Sequence, residues 1–131
     1  MSARNLAAVW PNYRAGGASY LVASGIVHSR EQIRMHAAAV PDTTMTACRL
    51  RASHETLRAR IMRRGAGGGP PLPGHELTGQ PREWLEQAAT DSIREADEMD
   101  RNELGDLCLD TDGLAIAEVA RLVLMRTGIC G

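Results

Sequence analysis

A short β-prone run followed at once by a capped helix start is the pattern that most restricts what this chain can fold into. It occurs three times. Residues 19–27 (SYLVASGIV) precede Ser29, residues 43–50 precede Ser53, and residues 106–110 (DLCLD) precede Thr111-Asp112-Gly113. Strands that alternate with helices pack as an α/β domain on a parallel sheet, joined by right-handed crossovers. The first run is nearly continuous in apolar residues, as expected for a strand buried on both faces of such a sheet.

The intervening segments carry helical periodicity. Residues 5–14 place Leu6, Val9 and Trp10 on one side, in a short helix that Pro11 limits. Ser29 and Gln32 form a capping box, ahead of Ile33, His36, Ala37 and Val40 at helical spacing, and Pro41-Asp42 ends that helix. Ser53 caps the next helix, with Glu55 in its first turn and Arg63 and Arg64 in its last, as the helix dipole prefers. A longer helix runs from Pro81 to Asp100, with Leu85, Ala88, Ala89, Ser92, Ala96 and Met99 along one face. Ile116, Val119, Ala120 and Val123 mark the last helix.

Composition narrows the class further. The 131 residues suit a single domain, 44% are apolar, and Phe is absent. The core must then be built from Leu, Val, Ile, Ala and Met, which favours helices on a small sheet. A formal charge of −1, with acids interleaved among the arginines, argues against a nucleic-acid partner and against an anionic membrane surface. No apolar run approaches ~18 residues, so no membrane span is expected. Cys48, Cys108 and Cys130 are odd in number and lack CxxC spacing, so free thiols and a reducing cytoplasm are the expectation. The four histidines share no ligand spacing, and no metal site is expected from them.

All 15 basic residues are arginine. No lysine is therefore present to bind phosphate, form a Schiff base or act as a base. At ~100° per residue, Arg60, Arg63 and Arg64 fall within about one third of a turn, with Arg58 pointing away. Guanidinium forks in such a group suit phosphate oxygens, and a solvated face gives the same spacing. The arginines open onto residues 65–79 (GAGGGPPLPGHELTG), a Gly/Pro-rich loop of functional length. It is not a P-loop, because it follows a helix C-terminus and has neither the Lys nor the following Ser or Thr. Asp110, Thr111 and Asp112 fall where strand carboxyl ends meet loops, the usual ligand side of an open α/β sheet. They are placed either to meet Mg²⁺, a base or a ribose, or to cap the last helix.

Together these pieces resemble the later part of small P-loop kinases of the nucleoside-monophosphate, gluconate and shikimate kinase type. ACRLRASHETLRARIMRRG resembles the strand and helix leading into their lid, and LCLDTDGLAIAEVARLVL resembles their last strand and final helix. SYLVASGIVHSREQIRMHAAAVP resembles the strand, switch and helix before these. The resemblance implies a three-layer P-loop-kinase-like parallel sheet over residues 1–131 as one partial domain. It implies that residues 65–79 are a lid, that Arg60, Arg63 and Arg64 meet ATP, with Arg60 and Arg64 catalytic, and that Asp112 and Gly113 border the adenine. Arg30 and Arg34, near the switch, would meet a small-molecule acceptor, and ATP with Mg²⁺ would be the cofactors.

That family opens with a strand, a P-loop and a phosphate-binding Lys, and no counterpart stands in this sequence. The expectation is thus a partial ATP-dependent small-molecule or nucleotide kinase-like domain, cut short and inactive as this chain alone. The alternative is a non-catalytic binding or structural remnant that covers its open sheet by forming a homodimer.

Overall fold

The computed structural model describes residues 2–69 and 77–129. They form a mixed α/β arrangement of five helices and two strands: α1 (Ala3–Ala15), α2 (Arg30–Ala38), β1 (Cys48–Arg51), α3 (His54–Gly65), α4 (Arg82–Arg101), β2 (Leu107–Asp110) and α5 (Ile116–Thr127). β1 and β2 pair in parallel, with Cys48 opposite Leu107 and Arg51 opposite Asp110. The parallel α/β expectation holds at this level. Among the described residues the sheet has only these two strands.

The first strand expected from the sequence does not form. Residues 19–27 are neither helix nor strand and make no backbone–backbone hydrogen bond among the described residues. Tyr20, Val22 and Ile26 are 63%, 74% and 63% exposed. The physical reason is pairing. A β-prone run becomes a strand only against an edge that takes its N–H and C=O groups, and no described strand lies beside it. The second expected strand is shortened to its last residues, although Ala47 still joins the ladder by accepting from Asp106 and Leu107 at 2.7 and 3.2 Å.

Helix signals fare better, with instructive differences. Ser2 caps α1 by accepting from Asn5, and the helix runs through Pro11 instead of being limited by it. Proline frees the carbonyl four residues back, here that of Ala7, which lies on an exposed part of the helix within reach of water. Ser29 caps α2 as expected, but the Gln32 amide oxygen accepts from His28 N–H, one residue before the cap. Ser53 caps α3 by accepting from Thr56 N–H, as expected. Neither Thr111 nor Asp112 caps α5. Its first turn is closed at Ala115, whose N–H donates to Glu118 at 2.7 Å.

Two small apolar clusters hold these elements. Leu6 and Trp10 of α1 pack with Val40, just past α2. Ile61 of α3 packs with Leu85 and Ala89 of α4. α3 and α4 form an antiparallel hairpin, with His54 paired to Asp97 near one end and Gly65 against Leu85 at the other. A Cβ on Gly65 would stand 2.3 Å from Leu85 Cδ1, so glycine there permits the helices to close. Arg58 pairs with Glu86 across the hairpin, consistent with its pointing away from the other arginines. No helix among the described residues is long and apolar enough to cross a membrane.

Candidate functional site at the carboxyl end of the parallel strands

β1 and β2 end side by side at Arg51 and Asp110, and the chain then turns into α3 and toward α5. Arg51 Nη2 and Asp110 Oδ2 are 3.3 Å apart across the pair. Beyond them Thr111 N–H donates to Arg51 C=O at 2.8 Å, and the Thr111 hydroxyl donates to the same oxygen at 2.9 Å. Thr111 is 4% exposed. A buried hydroxyl needs partners, and this one also accepts from Arg60 Nη2 at 3.1 Å. Arg60 Nη2 lies 3.3 Å from the Thr111 carbonyl as well.

Asp112 comes next and reaches the start of α3. Its two carboxylate oxygens accept from Ser53 N–H at 3.0 and 3.2 Å. Ser53, by its hydroxyl first and its N–H second, holds the Asp112 carboxyl below the usual carboxylate range, and Thr56 and the Arg60 charge add to this. Gly113 follows at φ 68, in the left-handed region, and a Cβ there would meet nothing within 4 Å. Its freedom from a side chain leaves open space beside Asp112.

The structure therefore joins Arg60 with Thr111 and Asp112, and sets Gly113 next to them. Arg63 and Arg64 lie in the last turn of α3, about 4.5 and about 6 Å farther along the helix axis than Arg60. Among the described residues neither of their guanidinium groups makes an ion pair or hydrogen bond. Their backbones are tied to the glycine-rich segment: Gly68 N–H donates to Arg63 C=O at 2.8 Å, and Gly67 N–H to Arg64 C=O at 2.9 Å. The far end of the loop returns to the same place, where Thr78 Oγ1 donates to Arg64 C=O and Gly79 N–H to Gly65 C=O. The middle of the expected lid, residues 70–76 with His75, lies outside the described residues.

Arg30 and Arg34 are elsewhere. Arg30 Nη2 donates to the carbonyls of Asn102 and Glu103 at 3.2 and 3.4 Å, closing the C-terminal end of α4. That point leads into the amino end of β2, opposite to Thr111. Arg34 Nε lies 3.4 Å from the Arg30 carbonyl, on the same helix. The fold does not bring these two arginines to Arg60.

Sequence reasoning missed two participants. Ser53 was read only as a cap, yet its N–H anchors Asp112, and Arg51 forms the cross-strand pair with Asp110. The register of two parallel runs both ending in a charged residue was the available signal. Cys48 is half-buried and burial pushes its thiol upward, with Cys108 adding to the shift. Cys108 is exposed at the strand surface, and Cys130 lies outside the described residues. Among the described residues no three His, Cys, Asp or Glu side chains group to hold a metal ion. Comparison with family models, curated proteins and solved structures finds no match for this chain.

Proposed function

We propose that the chain is a nucleotide-binding, kinase-like partial domain whose base and phosphate contacts lie at the carboxyl end of β1 and β2. One observation carries this reading. α3 leaves the sheet beside Asp112, and Arg60, about two turns along, still reaches back to Thr111. The helix that bears Arg63 and Arg64 is thus tied to the residues after β2 at two points, Ser53 and Arg60, and its tip holds both ends of the glycine-rich loop. The arrangement matches what the resemblance to small P-loop kinases implies for the helix leading into a lid.

The residues take different parts in it. Arg60 is committed to Thr111, so its role is to fix the helix and loop relative to each other. Gly113 and the backbone around it offer open space to the flat face of a base. Arg63 and Arg64 supply the unengaged forks for phosphate oxygens. Mg²⁺ would arrive coordinated by the nucleotide, since the described residues contain no group to hold it alone. ATP would supply the transferable phosphoryl group. Transfer to an acceptor belongs to this reading only when a further segment provides a strand and phosphate loop, because those parts carry most of the charge stabilisation.

Amide chemical shifts recorded during titration with ATP and Mg²⁺ test the reading. Shifts centred on residues 53–64 and 111–114, lost in Gly113→Val, are the expected result. A titration that leaves these amides unmoved would refute it.

A second reading rests on a different observation. Tyr20, Val22, Ile26 and Leu50 expose large apolar side chains, and the sheet has only two described strands. A non-catalytic module that dimerises by covering such side chains fits those exposures. Sedimentation at increasing concentration separates the two, because the nucleotide reading does not require association.

A further inference from the structure

β1 has an open edge. Ala47 and Arg51 turn their carbonyls to β2, accepting from Leu107 and Thr111, so Arg49 between them faces β2 as well. Successive residues of a strand turn their backbone groups to alternate sides, which leaves the N–H and C=O groups of Cys48 and Leu50 on the outer edge. Neither residue has a backbone partner on that edge among the described residues. The Leu50 side chain is 54% exposed, on the same face of the sheet as Leu109.

The same chain carries a segment that fits this edge. Residues 19–27 have strand composition and hold no backbone–backbone hydrogen bond among the described residues. Tyr20, Val22 and Ile26, an even number of residues apart, fall on one face of a strand, and all three are exposed. Within one copy no ladder forms. Residues 20, 21 and 23 and residues 43–46, which lead into β1, border a cavity of about 630 Å³ instead of pairing. We infer that two copies of this chain exchange residues 19–27, each laying that segment along the outer edge of its partner's β1. Strand addition supplies the missing backbone partners on both sides, and the alternating side chains cover Leu50. Donor and acceptor lie on the same chain, so the exchange is reciprocal and closes as a two-fold dimer. The inference rests on the dimer reading above and assigns its surface. In the monomer residues 19–27 stay exposed, so changes there act on association and spare the fold.

Sedimentation of the full 131-residue chain at rising concentration, joined to amide hydrogen exchange, tests it. A dimer should form in which the amides of residues 20–26, Cys48 and Leu50 gain protection. Val22→Pro removes an N–H from the donor segment, and Leu50→Lys places a charge on the acceptor edge. Each should raise the dimer dissociation constant about tenfold or more, which is about 1.4 kcal/mol. Mixed together, the two variants should associate more tightly than either does alone. The Leu50→Lys copy still donates an intact segment, and the Val22→Pro copy still offers an intact edge. A chain that is monomeric at every concentration refutes the dimer reading and the inference with it. A dimer that both variants preserve, or one that mixing does not restore, overturns the inference and leaves the dimer reading standing. Loss of monomer stability in Val22→Pro would place the segment on its own β1 and overturn the exchange.

Discussion

The two helix pairs of this protein are built on clusters of similar size, yet they are held differently. α3 and α4 close over Ile61, Leu85 and Ala89, and polar bonds tie that hairpin to the strands: Ser53 to Asp112, Arg60 to Thr111, and Arg49 to Asp100. α1 and α2 close over Leu6, Trp10 and Val40, and the β-prone run between them finds no edge. The difference teaches that apolar content alone does not make a strand. Residues 48–51 and 107–110 pair because each supplies the other's backbone partners, while residues 19–27 have the better strand composition and no partner.

Breaking the apolar core of either pair gives the largest contrast. Leu85→Ala should lower global stability in urea by about 2–5 kcal/mol and reduce hydrogen-exchange protection in β1 and β2. Leu6→Ala should loosen α1 and α2 while leaving strand protection in place. Equal loss of strand protection in both variants would show that the two pairs melt as one unit.

A smaller effect is expected at the polar lock. Thr111→Val keeps the shape but removes the hydroxyl that donates to Arg51 C=O and accepts from Arg60. A loss of about 1–3 kcal/mol is expected from equilibrium unfolding. An unchanged midpoint would mean that water replaces the hydroxyl and that Thr111 does not hold α3 in place.

Acid should act on the same lock through Asp112. Its folded carboxyl titrates below the ordinary value, so the unfolded chain binds more protons in the interval between the two. The contribution is therefore complete above the unfolded carboxylate value of about 4. It is lost as pH falls through the lower, folded value. Asp112→Asn should flatten this part of the stability–pH curve, and a curve identical to that of the parent chain would remove Asp112 from the acid response.

The smallest effect belongs to residues 19–27. Val22→Ser, at a side chain 74% exposed, should change stability by less than about 0.5 kcal/mol. A loss of several kcal/mol would mean that Val22 is buried in solution, in the strand that its sequence predicts.

Much of the local structure was legible in the sequence, and the reason is locality. Ser29 and Ser53 cap helices through bonds to residues three positions on, so the signal and the structure lie in the same few residues. The end of α4 near Asp100 and the strand at 107–110 were read for the same reason. What was not legible depends on partners distant in sequence. Whether residues 19–27 pair, whether Asp112 serves α5 or α3, and whether Arg30 faces a ligand or the end of α4 are decided by tertiary neighbours. At the candidate site the sequence grouped Arg60, Arg63 and Arg64 by helical angle alone. The fold divides them, committing Arg60 to Thr111 and leaving Arg63 and Arg64 without such a bond among the described residues.

The most direct test of the nucleotide reading is calorimetric titration of the folded 131-residue chain with ATP and Mg²⁺, alongside Arg63→Ala/Arg64→Ala. The account predicts binding in the micromolar range, weakened about tenfold or more in the double variant, which is about 1.4 kcal/mol. No heat from a chain that circular dichroism shows to be folded, or equal binding by the double variant, would contradict it.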